Sequence, residues 1–224
     1  MGRISTTVQF DRLDKDFHLL ESRKQASRSW TKHFFDLWYI QLGWNSNTLA
    51  GILDIAAAAR ALPVRAEGSC ALMTSSPGGG ALAATLVYRI GPGGAGGVLS
   101  YDSPWQGQLI GITVGTNNTA VTPTDNSLFA RVEHGIGAGQ LEYGGSEVLA
   151  PTFANPNGSM ILRRYLTNNS GGDIVIQEAG IYSPIYSTGG IAYIFCICRD
   201  VVAPAVTVAT TEILVVTYTM QITV

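Results

Sequence analysis

The chain has 224 residues, 46% hydrophobic and 13% charged, with 26 glycines and a formal net charge of −2. So apolar a chain can offset the entropy of ordering, which excludes wholesale disorder, and without a basic excess it is not a module that binds nucleic acid by neutralising phosphates. Charge is unevenly spread: residues 1–70 hold nine Lys/Arg and seven Asp/Glu, residues 71–224 only five and nine, giving nets of +2 and −4. Such a charge-poor surface over the second part suits a chain that covers itself with neighbours. A monomer solubilised by Thr, Ser and Asn is the alternative.

Met1 to Asp16 contains no apolar run, so no cleavable signal is expected, and Met1-Gly2 with Thr6 matches a myristoylation pattern that would need a second anchor. Phe10, Leu13, Phe17 and Leu20 are spaced by three and four, which predicts one apolar stripe on a helix. A second helix is predicted from Trp30 to Leu42, with Trp30, Phe34, Leu37 and Trp38 on one side, Phe35, Tyr39 and Leu42 broadening the face, and Gly43 ending it. Residues 1–45 therefore read as a short helical, aromatic-rich N-terminal arm. An arm with so little core must dock its aromatics on the following domain or on a partner, which makes Trp30, Phe34, Phe35, Trp38 and Tyr39 candidate assembly contacts.

Residues 46–80 form a connecting segment. Within it, Thr48 to Leu62 is either an alanine-rich helix stopped by Pro63 or a strand from Gly51 to Ile55 leading into a turn; propensity favours the helix. From residue 81 the pattern is β. Strands are expected at Leu82–Ile90, Gln108–Val114 and Met160–Leu166, and the polar tip Asn168–Asp173 predicts a hairpin to the strand beginning at Ile174. Ala179 to Cys198 is twenty residues without a charge, the length of a membrane span, but Ser183-Pro184 and Ser187–Gly190 interrupt it, so it reads as two strands and a turn, with no membrane partner. Val216 to Val224 alternates apolar and polar, a strand half-buried to its last residue. About seven to nine short strands without helical punctuation predict an antiparallel β-sandwich, jelly-roll-like, over residues 81–224.

Motifs that carry chemistry fail on context. Gly91–Gly96 satisfies G-x-G-x-x-G, but no helix follows to hold a pyrophosphate, and Gly135–Gly139 fails in the same way. Cys196 and Cys198 share one strand face and read as small buried hydrophobes. Cys70, His18, His33 and His134 are isolated, so no metal or other cofactor is expected. The unpaired cysteines fit assembly in a reducing cytoplasm. Glu133, Glu142, Glu147, Glu178 and Asp200 could supply a glycosidase pair only if geometry brings two together. The N-x-S/T matches at Asn117, Asn157 and Asn168 matter only in a secretory pathway. A glycan-binding module is the alternative non-enzymatic reading, with Tyr101, Trp105, Tyr182 or Tyr186 stacking on sugar rings.

The ordered stretches Gly111–Asp125, His134–Gly144, Arg164–Tyr182 and Arg199–Val208, with the terminal Val-Thr-Tyr-Thr strand, resemble a family of tailed-bacteriophage and prophage virion proteins. The resemblance covers about half the chain, mostly residues 108–224, and extends loosely to Trp30–Leu42. It implies a non-enzymatic structural role in the particle. In the relatives the stretch matching Ile52–Leu62 is strand and turn. The expected partners are copies of the same chain, as a homo-oligomer, and capsid or tail proteins. The expected place is the virion, assembled in the bacterial host cytoplasm, either decorating the head or at the neck, tail or fibre attachment.

Overall fold

The computed structural model describes residues 3–42, 48–63, 83–84, 110–186 and 192–223. In chain order the elements are β1 (Arg3–Leu13), β2 (Leu19–Ser27), α1 (Lys32–Leu42), β3 (Thr48–Leu53), β4 (Ala59–Pro63), β5 (Ala83–Ala84), β6 (Gly111–Gly115), β7 (Glu142–Ala154), β8 (Asn157–Thr167), β9 (Ile174–Tyr186), β10 (Ala192–Val208) and β11 (Ile213–Thr223). The protein is mainly antiparallel β. One five-stranded sheet runs β2-β1-β11-β8-β7; in a second, β9 pairs with β10 on one edge and with β5 and β6 on the other; β3 and β4 make a separate hairpin.

The two sheets share one core. Val8, Phe10, Leu162, Leu166, Leu214, Val216 and Tyr218 point into it from the first sheet, and Ile112, Val114, Ile176, Ile181 and Phe195 from the second, all buried. Each such side chain contributes about 1.5–3 kcal/mol on burial. The far face of β9 and β10 carries a smaller cluster, Ile110, Leu128, Tyr182, Ile194 and Cys196, with Ile55 of the β3–β4 turn packed on it.

The first expected helix is not there. Residues 3–27 are a hairpin whose β1 pairs in register with β11 from Arg3↔Thr223 to Leu13↔Ile213. Thr6, Val8 and Phe10 alternate inward, and β-branched residues with a waiting ladder outweigh the helical spacing, which reaches across a turn rather than along a helix. The turn is made by Asp14, whose Oδ1 accepts the N–H groups of Asp16 and His18, each at 2.8 Å, with Phe17 at φ 65°. Only α1 remains of the expected helical arm over residues 1–45: the described residues 3–42 are not a separate helical segment, and their strands belong to the main sheet.

The β3–β4 hairpin repeats this turn. Asp54 Oδ1 accepts from Ala56 and Ala58 at 3.0 Å, and Ala57 stands at φ 57°. The strand-and-turn alternative for residues 48–62 is thus the observed one, and helix propensity loses because a short isolated helix is marginal without tertiary packing. Arg60 then pairs with Asp54 at 2.5 Å and lies 4.1 Å from the Tyr193 ring centroid, fastening the hairpin to β10.

The chain crosses between sheets at residues 168–173 and 209–212, so β8 and β9 are not the expected hairpin: β8 pairs with β7 and β11, β9 with β10. The uncharged stretch from Ala179 to Cys198 is, as expected, two paired strands. A bulge between Cys196 and Cys198 breaks the expected shared face of the two thiols: Cys196 joins the outer cluster and Cys198 the main core. The last strand is buried only part-way. Tyr218 is fully enclosed while Ile222 is 50% exposed, because the five-stranded sheet outruns the second sheet at that end. Of the strand expected at Leu82–Ile90, only Ala83 and Ala84 lie within the described residues.

Candidate functional site

Three clusters of buried polar groups among the described residues each join elements distant in sequence. At the first, Asp200 of β10 is buried, and its Oδ2 accepts from Ser27 Oγ of β2 (2.7 Å), Tyr218 OH of β11 (3.2 Å) and Cys198 Sγ (3.4 Å). Burial, then the Asp200 charge, pushes the Cys198 thiol and the Tyr218 hydroxyl well above their ordinary ranges. Both stay protonated and act as donors. The raised pKa disfavours the thiolate, and the bonds of Asp200 to Ser27 and Tyr218 pin the two sheets together.

At the second place Arg199, fully buried, donates to Glu178 Oε2, Asp125 Oδ2 and the Thr119 carbonyl, each at 2.9 Å, and lies 4.4 Å from the Phe129 ring centroid. Glu178 also accepts the N–H groups of Ala130 (2.8 Å) and Phe129 (3.2 Å), and Asp125 accepts those of Thr122, backbone and hydroxyl. This triad fixes the segment 116–131 over the second sheet. The segment in turn takes the Lys32 N–H on the Pro123 carbonyl, at the start of α1, and donates Asn126 Nδ2 to the Asp54 carbonyl.

At the third, Arg164 of β8 reaches across the core to the carbonyls of Ile110 (3.0 Å), Ile112 (2.9 Å) and Gly144 (2.8 Å), under the Tyr143 ring. The Tyr143 hydroxyl donates to the Val132 carbonyl at 2.8 Å, and burial pushes it up to about 12. These buried arginines and Asp125 were not singled out from the sequence, and Glu178 was named only as a candidate catalytic carboxylate. The signal was there: Arg199 follows an uncharged strand ending in Phe-Cys-Ile-Cys, where a lone charge must be paired.

The candidate carboxylates do not come together in twos. Glu133 pairs with Arg131, Glu147 with Arg163, Glu178 with Arg199, Glu142 accepts from Asn169, and Asp200 sits in its own cluster. His18 is not isolated as expected, since Asp14, Asp16 and His18 offer ligand atoms within 4.8 Å of one another at the β1–β2 turn. Asp14 is already committed to that turn: its carboxyl is held below the ordinary range, chiefly by the His18 N–H. Gly135–Gly139 forms a turn closed by Gln140, and Gly91–Gly96 lies outside the described residues. A cleft of about 300 Å³ lies between β2 and β10, floored by Phe10 and bridged by Arg23 and Gln25, whose side chains donate to the carbonyls of Ala205 and Val201. It is a seam between the sheets.

Of the candidate assembly contacts, Trp30 and Phe34 pack on the main core and are largely the domain's own, while Phe35 is 59% exposed. The three rings form a ladder toward solvent, with centroids 4.5 Å apart for Trp30–Phe34 and 5.3 Å for Phe34–Phe35. The side chains of Trp38 and Tyr39 lie outside the described residues. Of the glycan candidates, Tyr182 is buried and its hydroxyl accepts the Leu128 N–H at 2.8 Å, so it cannot stack on a sugar at the surface. Tyr101 and Trp105 lie outside the described residues, as does the side chain of Tyr186.

His33, at the start of α1, is 4% exposed, and neither ring nitrogen is hydrogen-bonded among the described residues; Asp36 lies 3.6 Å away. Burial lowers its pKa, outweighing Asp36. Below its unfolded value near 6.5 the unfolded chain therefore binds a proton that the folded chain resists, so stability falls as pH drops through that window. Thermal melts at pH 7.5 and 5.5 should show a drop for the wild type that His33→Leu reduces.

Comparison with family models, with curated proteins and with solved structures finds no match to this chain. No described helix is long and apolar enough to cross a membrane.

Proposed function

We propose that the protein is a non-enzymatic structural component of a tailed-bacteriophage virion that works by self-association and by contact with capsid or tail proteins. The carrying observation is a surface made for contact: the five-stranded sheet exposes Ile4, Val148, Phe153, Met160 and Ile222 on one face, in a chain with few charges to keep such surfaces apart. The virion setting rests on the sequence resemblance over residues 108–224. The finer fold reading is a jelly-roll-like β-sandwich. What supports it is the ribbon of β8 with β11, which crosses at both connections into the ladder of β9 with β10. Quantitative mass spectrometry of purified particles encoding this chain tests the role. Hundreds of copies are expected for head decoration and about a dozen or fewer for the neck, tail or fibre attachment; particles lacking the chain overturn the reading.

A further inference from the structure

The exposed apolar side chains of the main sheet are not scattered. In register, Ile4 faces Ile222, Ile222 faces Gly158, Gly158 faces Phe153, and Met220 faces Met160. Their strands carry the core residues Val8, Tyr218 and Leu162 at the same alternation, so the patch is the inner face of the sheet continued past its cover. Exposure climbs from zero at Tyr218 to 50% at Ile222 and reaches 75% at Ile4 and 81% at Phe153. The Phe153 ring lies against Gly158, where a Cβ would meet its Cδ1 at 2.9 Å.

Resting on the self-association proposed above, we infer that this sheet end is where a second copy of the chain packs, face to face. Two properties select a copy over a foreign partner. Ile4–Phe10, Val148–Leu162 and Ile213–Val224 contain no Asp, Glu, Lys or Arg. A two-fold contact sets this patch against an identical patch, and a face without charges is free of the like-charge repulsion that charged residues would bring there. The exposed fractions amount to on the order of 600 Å² of apolar surface, at the upper limit for a monomer's largest patch and near the roughly 800 Å² each partner buries in an ordinary stable interface. Sheet faces stack about 10 Å apart, and this one is already shaped for that packing.

Sedimentation velocity of the full chain at about 10 μM tests this, with Phe153→Asp and Ile222→Asp on the face and Phe17→Asp at the opposite end of the sheet, where Phe17 is 64% exposed. A two-fold dimer is expected for the wild type and Phe17→Asp, with at least a tenfold weaker dimer for both face variants at unchanged circular dichroism. A wild-type assembly that both face variants retain overturns the inference and leaves self-association standing. A wild-type monomer overturns both: if Phe153→Asp then lowers Tm, the chain's own residues cover the face, and if Tm is unchanged, the face belongs to another virion protein.

Discussion

Arg199→Met is expected to destabilise the fold by about 3–5 kcal/mol, since removing one member of a buried ionic cluster leaves the others buried without compensation. Asp125 and Glu178 would face each other beneath segment 116–131 with only backbone donors and the Thr122 hydroxyl to hold them. For a chain of this length the loss corresponds to roughly 10 °C in Tm. As the pH is lowered toward 5 the variant should lose less stability than the wild type, because desolvated carboxylates without a cation take up protons more readily in the folded state than in the unfolded one. Limited proteolysis should open the exposed stretch around Asn118–Thr124. A Tm within 2 °C of the wild type, or a variant that loses as much stability on acidification as the wild type, would show that the triad does not hold this segment.

Asn168→Ala is expected to cost about 2–4 kcal/mol, the sum of lost hydrogen bonds and a stranded buried carbonyl. Its Nδ2 donates to the carbonyls of Gly172 and Val208 at 2.8 Å each, and its Oδ1 accepts from the backbone and hydroxyl of Ser170. Its own backbone pairs with Glu212 and Thr211. One side chain thus ties together the two connections by which the chain changes sheets. Urea unfolding should show a lower midpoint at unchanged slope. Asn168→Asp should fare no better, since it removes both donors and buries a charge. Equal midpoints for wild type and Asn168→Ala would mean that the crossings are held by backbone alone.

The same residue shows why the sequence was read only in part. Asn168-Asn-Ser-Gly-Gly-Asp is a plausible hairpin tip, and nothing local tells a turn that reverses a strand within a sheet from one that sends it to another layer; the partner carbonyl, that of Val208, lies forty residues away. Strand-forming alternation was legible where one face is enclosed and the other is not, as in Val216–Tyr218 with Thr217 between them, and the aromatic helix was legible because Phe34 and Leu37 face one side. Phe10 to Leu20 misled because a short turn places apolar residues at three- and four-residue intervals by chance. The candidate site was less legible than the fold. Arg164 and Arg199 look like surface charges until their strands are known to be enclosed, and the exposed row of Ile4, Ile222 and Phe153 is assembled from strands that are not neighbours in sequence.

The pairing of β1 with β11 sets the order in which the molecule can be completed. Strand β11 stands between β1 and β8, so β1 has one neighbour missing until residues 213–223 have been synthesised. Translation at about 5–20 residues per second leaves the apolar inward row of the β1–β2 hairpin waiting for ten seconds or more. Such remote pairing makes for slow folding with a late closing step. A nascent chain in that state offers its open edge to any other nascent copy, and exchange of β11 between two chains would close both sheets as well as one chain closes its own. Yield on expression should therefore depend more on synthesis rate and temperature than the stability of the finished fold alone would suggest.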